Sequence, residues 1–260
     1  MSVRGGIRGQ VRVDKIAVIS DVHGNMPALE TVLADIRRRG IELIYNLGDL
    51  VGKGPESDVA VDRCREVCQV IVRGNWDQSI IEVQNNPAYS WYCEQLGEAR
   101  LAYLAGLPNV FDFWLSGQRV RLYHASQVGV YNRVYPWQPP EIHAAMFENT
   151  DFTGMAGPAP DIVGYGDIHT TYMHTLAGQS KLLFNAGSVG NPLDFPLATY
   201  VILNGKVDSQ TAGPFSIDFI RLPYDIEATL ERARQLGAPD LDVYSVELRT
   251  AVYRGVQNNN

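Results

Sequence analysis

Side chains that can bind metal ions follow directly after several predicted strands. Asp21 and His23 come after a short apolar run near the start of the chain, Asp49 follows the next run, and Asp167 and His169 follow a later one. Residues two apart on an extended backbone point the same way, so Asp21 and His23 can meet one ligand. Open α/β sheets form their sites at the carboxyl ends of their strands. The sequence therefore predicts a site that gathers these side chains.

Three further residues occupy comparable places. Asn75 and Asp77 follow the third predicted strand, and His124 ends the second strand of a predicted hairpin. Taken singly, an Asp after a strand is more often a turn residue or a helix cap, and a lone His is more often structural. The chain has five His. Three of them, with carboxylates and an amide, fall on strand-end loops, and this joint occurrence favours chemistry over turn structure.

The elements that must position these residues begin as βαβ units. Short β-branched runs alternate with helical stretches in the first third, which predicts a parallel sheet, and the second half is rich in short strands. Helices are predicted after Asn25, from Ser57, and over 89–105 and 226–236, with a further one opening at Pro140. Strands are predicted over 15–20, 42–47, 69–72, 110–115, 118–124, 161–164, 172–176, 182–185, 200–203, 215–222 and, as an edge strand, 244–248.

Composition narrows the class of protein. We find no internal repeat and no linker, so one domain over 1–260 is expected, with a disordered polar tail at 257–260. The formal charge of −7 gives nucleic acid no electrostatic attraction, and no apolar run approaches the roughly 20 residues of a membrane span. The first fifteen residues lack a signal-peptide core, and three Cys cannot form a closed disulfide framework. These features predict a cytoplasmic protein without a membrane partner; they leave its oligomeric state open.

The ordered motifs resemble those of the calcineurin-like metallophosphoesterases, which are D-x-H, G-D, G-N-H-[DE], an isolated His and G-H-x-H. Here they read Asp21-Val22-His23, Gly48-Asp49, Gly74-Asn75-Trp76-Asp77, His124 and Asp167-Ile168-His169. The segments 20–25, 47–52 and 185–192 are similar to the bacterial branch labelled diadenosine-tetraphosphatase-like. The resemblance implies an α/β fold, a four-layer α/β/β/α sandwich with two mixed sheets.

The resemblance also implies a dinuclear metal centre. It assigns Asp21, His23 and His169 to one divalent ion, Asn75 and His124 to the other, and Asp49 to both. A carboxylate can bridge cations roughly 3.5–4 Å apart, and a hydroxide held between them would attack the phosphorus. Nitrogen and oxygen ligands suit Mn²⁺, which we favour, and also Fe, Zn, Ni or Co. Asp49, Asn75 and Asp77 are the predicted catalytic residues, although Asp77 could instead cap a helix.

Two positions depart from the family pattern. Trp76 replaces the motif histidine, and indole cannot act as an acid or base, so we expect a preference for good leaving groups or a replacement acid; packing beside the site is an equal alternative. Asp167 replaces the first histidine of G-H-x-H. As a metal ligand it would add negative charge and favour harder cations such as Mn²⁺, and the alternative is a turn aspartate.

Predicted substrate-binding residues are Asn25, Lys53, Trp76 and Ser188. Each has a simpler alternative: a helix cap for Asn25, a solvated lysine for Lys53, and a shape-forming turn for Ser188. An aromatic cluster near Arg133, formed by Tyr131, Tyr135 and Trp137, could stack a nucleobase, although packing under the second sheet is favoured.

These observations predict hydrolysis of phosphoester or phosphoanhydride bonds in a small phosphorylated substrate, with dinucleoside polyphosphates or other nucleotides as the specific hypothesis. The alternative is a catalytically weak metal- or nucleotide-binding scaffold on the same fold, which Trp76 and Asp167 make conceivable. A nuclease is disfavoured by the acidic balance of the chain.

Overall fold

The computed structural model describes residues 13–82 and 86–254. The elements of these residues, in chain order, are β1 (Asp14–Ile19), α1 (Met26–Arg38), β2 (Leu43–Asn46), α2 (Ser57–Val67), β3 (Val70–Ile71), α3 (Asn75–Glu82), α4 (Pro87–Ala105), β4 (Val110–Leu115), β5 (Gln118–Tyr123), α5 (Pro140–Ala145), β6 (Ile162–Tyr165), β7 (Thr171–Leu176), β8 (Lys181–Ala186), β9 (Ala198–Gly205), β10 (Ser216–Leu222), α6 (Ile226–Leu236) and α7 (Leu241–Thr250). The predicted tail at 257–260 lies outside the described residues.

Ten strands in this part of the chain form two five-stranded sheets. The first has the order β10-β9-β1-β2-β3 and the second the order β4-β5-β6-β8-β7. Strand β1 pairs in parallel with β2 and antiparallel with β9, and β6 lies parallel to both β5 and β8, while β4 and β7 run antiparallel at the two edges of the second sheet. Both sheets are therefore mixed, as predicted.

Side-chain alternation along β1 separates the layers. Ile16 and Val18 pack in a core between the sheets with residues such as Phe184 of β8, whereas Ala17 and Ile19 face α1, α2 and α4. A strand with apolar residues on both faces must be covered on both faces, because successive side chains point to opposite sides. The result is a four-layer α/β/β/α sandwich, which confirms the predicted fold class.

The fourth layer is thin. The outer face of the second sheet, represented by Tyr123 and Tyr165, is covered by the short helix α5 and by the loop residues Met146 and Phe147. The segment between β5 and α5 begins with His124, one of the residues of the predicted site.

One predicted element is wrong. Residues 244–248 were expected to form an edge strand, but they lie inside α7. Tyr244 and Leu248 are buried against Leu230 of α6, and the spacing of four places them on one helical face. The prediction also missed α3, and Ser57 is the first residue of α2 rather than its cap. Within the residues that the structure describes, no helix has the length and apolar character needed to cross a membrane.

Candidate metal centre

Loops that follow strands of both sheets converge at one edge of the sandwich. Asp21 and His23 follow β1, Asp49 follows β2, and His169 follows β6. One ligand atom from each of these four buried side chains lies within 4.8 Å of the others. The His169 Nε2 atom is 3.2 Å from Asp21 Oδ1 and 3.2 Å from His23 Nε2, which itself is 3.5 Å from Asp49 Oδ2. We call these four residues the first cluster.

The backbone is unusual at these positions. Asp21, His23, Asp49, Asp167 and His169 all have left-handed φ angles, between 49° and 64°. This conformation is strained for non-glycine residues and tends to concentrate at functional sites. The loops therefore hold the side chains in an arrangement that local preference alone would not select.

The three histidines of the site are oriented by the main chain. Each uses Nδ1 to donate to a backbone carbonyl oxygen: His23 to Val51 at 2.9 Å, His124 to Leu47 at 2.8 Å and His169 to Asn191 at 2.5 Å. A neutral imidazole with a proton on Nδ1 has a lone pair on Nε2, and this outer hydrogen bond is how metal-ligating histidines are commonly held. All three Nε2 atoms therefore face the site, where a bound cation would take their lone pairs.

A buried carboxylate oxygen provides a direct test of fit. Asp21 is fully buried; its Oδ2 accepts from Ser20 Oγ at 2.5 Å and from the Asp167 amide at 3.2 Å. Its Oδ1 has no hydrogen-bond donor among the described residues. A buried, unsatisfied oxygen costs free energy unless something positive meets it. A cation bound by the first cluster would satisfy this atom, so the residues fit a metal ion.

A second cluster adjoins the first. In one amide orientation, Asn75 Oδ1 lies 2.9 Å from His124 Nε2 and faces only acceptors. The rotated amide would instead donate to His124 Nε2 at 2.9 Å, Asp49 Oδ2 at 3.1 Å and Asp167 Oδ1 at 3.2 Å. The Asn75 amide oxygen, the imidazole of His124 and the carboxylates of Asp49 and Asp167 are each able to bind a cation, so these side chains could hold one here. Asp49 contributes to both clusters, and the resemblance implies that this residue is shared by the two ions.

The charges favour a positive occupant. Burial raises the pKa of Asp49 well above its ordinary value and lowers that of His23 well below. Burial also lowers the pKa of His124, but Asp49, Asp21 and Asp167 outweigh it and raise that pKa to about 9. The carboxylates thus create a field that stabilises positive charge, and a divalent cation would experience the same field.

Comparison with known proteins agrees with this geometry. The profile of the calcineurin-like phosphoesterase superfamily domain matches residues 15–208. The chain belongs to this superfamily. A metallophosphoesterase from Sphaerobacter thermophilus is 26% identical, with a TM-score of 0.72, over 93% of this chain and 100% of that chain. A hypothetical protein from Pyrococcus horikoshii OT3 shares the fold, with a TM-score of 0.69 and 19% identity, over 92% of this chain and 98% of that chain.

A curated relative extends the family comparison. An uncharacterized protein of Methanocaldococcus jannaschii is 28% identical, over 86% of this chain and 94% of its own length. The family prediction made from the ordered motifs is confirmed. The family is metal-dependent, and the buried Asp and His cluster offers it a metal site.

Asp167 has a partner that the sequence did not indicate. Arg133 donates to both of its oxygens, from Nε to Oδ2 at 2.9 Å and from Nη2 to Oδ1 at 3.0 Å. Asp167 also lies 3.8 Å from His124 Nε2, at the second cluster. Such bidentate pairs are strong, and the guanidinium balances the negative charge that Asp167 brings in place of the family histidine. The expected charge difference at this position is therefore offset by Arg133.

Asp77 binds the main chain of the loops around the site. Its Oδ2 accepts from the amides of Asp49 at 2.8 Å and Gly74 at 2.9 Å, and its Oδ1 accepts from Leu50 at 3.0 Å. The bond to Gly74 closes the first turn of α3, which is the capping alternative. Both oxygens are thus paired with the backbone, so the geometry supports a positioning role for Asp77 beneath the Asp49 loop.

The four predicted substrate-binding residues divide into two pairs. Lys53 and Trp76 line the cavity above the clusters. Asn25 and Ser188 do not: Asn25 caps α1 and donates to the Gly190 carbonyl at 2.8 Å, and Ser188 donates to the Asp21 carbonyl at 2.8 Å. Both are fully buried with these atoms paired inside the protein. These contacts favour the alternatives of a helix cap for Asn25 and a turn residue for Ser188, and substrate binding by either residue stays a prediction.

Trp76 packs tightly beside the first cluster. Its ring stacks on Tyr89 with a centroid distance of 5.5 Å and meets the edge of His23 at 5.9 Å. A Cβ atom on Gly52 would lie 2.1 Å from the indole, so glycine is required there. The Trp76 amide also donates to Asp49 Oδ1 at 2.8 Å. Trp76 therefore fixes the Asp49 loop and one wall of the cavity, as the packing alternative expects.

Proposed function

We propose that the chain is a dinuclear metal-dependent hydrolase of small phosphoesters or phosphoanhydrides, including dinucleoside polyphosphates or other nucleotides. The superfamily assignment supports phosphoesterase chemistry. The observation that carries the proposal is the pair of adjoining clusters that share Asp49, with an unpaired buried oxygen of Asp21 in the first and with Asn75 and His124 beside Asp49 in the second.

The residues take defined roles in this proposal. Asp21, His23 and His169 would hold one divalent ion, Asn75 and His124 the other, and Asp49 both. When bound, the ions would neutralise phosphoryl oxygens and lower the pKa of a water between them. Lys53 lines the same cavity, with its Nζ donating to Asn191 Oδ1 at 2.5 Å, and is placed to bind a phosphoryl oxygen. Asp77 and Trp76 hold the Asp49 loop in register.

Hydrolysis of 4-nitrophenyl phosphate and bis(4-nitrophenyl) phosphate tests the proposed function. After treatment with EDTA, we expect little turnover, and we expect added Mn²⁺ to restore it. The scaffold alternative predicts metal binding without turnover on either compound in any of Mn²⁺, Fe²⁺, Zn²⁺, Ni²⁺ or Co²⁺. Elemental analysis in the same samples counts the bound ions, and two per chain would agree with the two clusters.

Metal preference should depend on Asp167. We expect Asp167→His to shift the ratio of activity in Mn²⁺ to activity in Zn²⁺ toward Zn²⁺ by about tenfold, because imidazole suits Zn²⁺ and changes at metal-site residues typically have effects of 10–100-fold. Asp167→Asn is the matched control, since it keeps the size and removes the charge. An unchanged ratio and an unchanged pH profile in Asp167→His would exclude a ligand role.

Leaving-group dependence should reflect Trp76. Without an acid at this position, rates should fall steeply as the leaving-group pKa rises, because general acid catalysis is typically worth about 10²–10⁴-fold for poor leaving groups. A series of aryl and alkyl phosphates measures the slope, and a relative with His at this motif position provides the reference. If the rates in the two proteins depended equally on leaving-group pKa, the absence of a histidine at position 76 would have no effect on departure of the leaving group.

A further inference from the structure

One cavity joins the metal centre to an aromatic surface. Its volume is about 640 Å³, and its lining includes Asp49, Asn75 and His169 of the two clusters and site loops together with the aromatic residues Trp137 and Tyr253. Pockets of roughly 300–1,000 Å³ bury most of a drug-sized ligand. A phosphoryl group alone would leave most of this volume unfilled. The volume of the cavity therefore indicates a substrate with a sizeable organic group beside its phosphate.

Basic residues mark the part of the cavity that suits the phosphate. Lys53, with 9% of its side chain exposed, and Arg133, with 41% exposed, both line the cavity. Arg133 is held by its bidentate pair with Asp167, beside the second cluster. The two clusters, when they hold cations, and these two side chains would bind the phosphate, whereas Arg254, which also lines the cavity, is paired with Glu247.

The loop that carries Arg133 also carries a pair of stacked rings. Tyr135 and Trp137 have a centroid distance of 4.6 Å and an interplanar angle of 13°. Trp137 is 77% exposed, and the loop beneath it is fixed by bonds from the Tyr135 amide to Gln138 at 2.8 Å and between His143 Nε2 and the Tyr135 carbonyl at 3.0 Å. An exposed aromatic pair on a fixed loop costs little entropy when it binds a flat ring.

A further aromatic residue of the cavity lining comes from outside the matched superfamily domain. Val252 and Tyr253 follow α7, are 40% and 43% exposed, and line the same cavity. Arg254 holds this segment to the buried Glu247 of α7, with Nε donating at 2.8 Å. The aromatic part of the cavity lining therefore includes a residue outside the superfamily match at 15–208.

We propose that the substrate carries a planar aromatic group, of the nucleobase kind, and that Trp137 and Tyr253 are specificity-determining residues that contact it. This inference rests on the proposed function only for the binding of the phosphate group at the metal centre. Four aromatic side chains, Trp76, Tyr135, Trp137 and Tyr253, line the cavity, which favours a flat ring over an alkyl chain. The acidic charge of the chain favours a small ligand over a nucleic-acid strand.

Calorimetric Kd values for adenosine 5′-monophosphate and ribose 5-phosphate, in the presence of Mn²⁺, test the proposal. Both probes contain ribose with a 5-phosphate, and adenosine 5′-monophosphate carries adenine at the position where ribose 5-phosphate carries its anomeric hydroxyl. We expect adenosine 5′-monophosphate to bind about tenfold or more tightly, since stacking on aromatic side chains supplies such factors. Trp137→Ala should remove most of this preference and leave the ribose 5-phosphate Kd within about twofold.

Controls separate stacking from general effects. Phe215→Ala removes another exposed aromatic residue, away from the cavity lining, and should leave both Kd values unchanged. Tyr253→Ala provides a second variant, in the segment after α7, and should also reduce the preference for adenosine 5′-monophosphate over ribose 5-phosphate. Equal Kd values for the two probes in the wild type would overturn the proposal. So would hexyl phosphate binding as tightly as adenosine 5′-monophosphate with the same sensitivity to Trp137→Ala.

The binding test is independent of turnover. Hydrolysis of 4-nitrophenyl phosphate without a preference for the ringed probe would preserve the proposed function and overturn this inference. A clear preference in binding, without hydrolysis of any phosphoester, would support the aromatic site and contradict the proposed function.

Discussion

Replacing Asp49 by asparagine should lower kcat/KM for 4-nitrophenyl phosphate in Mn²⁺ by about 10³-fold or more. Asp49 is the residue whose carboxylate belongs to both clusters, with Oδ2 3.5 Å from His23 Nε2 and Oδ1 3.5 Å from His124 Nε2. Metal ions contribute several kcal/mol of transition-state stabilisation, and each 1.36 kcal/mol is a factor of ten. Elemental analysis should show fewer bound ions per chain than in the wild type.

A histidine pair provides the matched comparison for this experiment. His124→Ala should cause a comparable loss, because it removes a ligand atom of the second cluster. His174→Ala should have little effect, since His174 lies exposed on β7 and contacts the ring of His143. Full activity and an unchanged ion count in Asp49→Asn would contradict the shared-carboxylate arrangement, and with it the dinuclear mechanism.

Replacing Glu247 by alanine should lower the free energy of unfolding by about 3 kcal/mol, because breaking a buried charge pair leaves the other charge uncompensated. Glu247 is fully buried; Oε1 accepts from Arg254 Nε at 2.8 Å, and Oε2 lies 4.0 Å from Lys53 Nζ. Urea denaturation measures the change. The expected loss is large because Lys53, with 9% of its side chain exposed, cannot fully regain water.

The pH dependence of the stability loss and a second ion pair, as a control, provide two further tests of this prediction. Burial raises the pKa of Glu247, but Arg254 and Lys53 outweigh it and hold the pKa below the ordinary 4.5. A lowered pKa stabilises the fold above that value, so the gap between wild type and Glu247→Gln should narrow as the pH falls below about 4.5. Glu227→Ala, which breaks an exposed pair with Arg249, should have a far smaller effect. Equal losses in Glu247→Ala and Glu227→Ala would contradict a buried network.

Local pattern predicted most elements of the fold. The run at 15–20 became β1, the cap at Asn25 and Pro27 began α1, and the turn at Ser116 joined β4 to β5. These features depend on neighbours in sequence, so the residues alone specify them. The prediction for 244–248 failed because this segment alternates apolar and polar residues, as a strand does, while the apolar face of the helix is recognisable only from its contacts with distant residues such as Leu230 of α6.

The site was predictable to the extent that its residues lie in ordered motifs. Asp21, His23, Asp49, Asn75, His124 and His169 meet as the motifs indicated, and their roles as ligands stay predictions. The partner of Asp167 could not be found from sequence, because Arg133 lies 34 residues away in a loop without a motif. The same holds for Lys53 and Glu247, which meet only through the packing of α7. The sequence does not show that Asn25 and Ser188 bond to the backbone of neighbouring loops, because residues that support a loop share its motif with residues that face the cavity.

The bonds from three Nδ1 atoms to backbone carbonyls have a consequence for exchange of the ions themselves. Since the main chain already fixes the tautomer and orientation of each ring, the three histidines would keep their positions in a folded chain without ions. The site would therefore be preformed for metal binding. Refilling would need no refolding, so different divalent ions could replace one another in the same protein molecule. The supply of ions in the surroundings, more than the fold, would then decide which of them the chain carries.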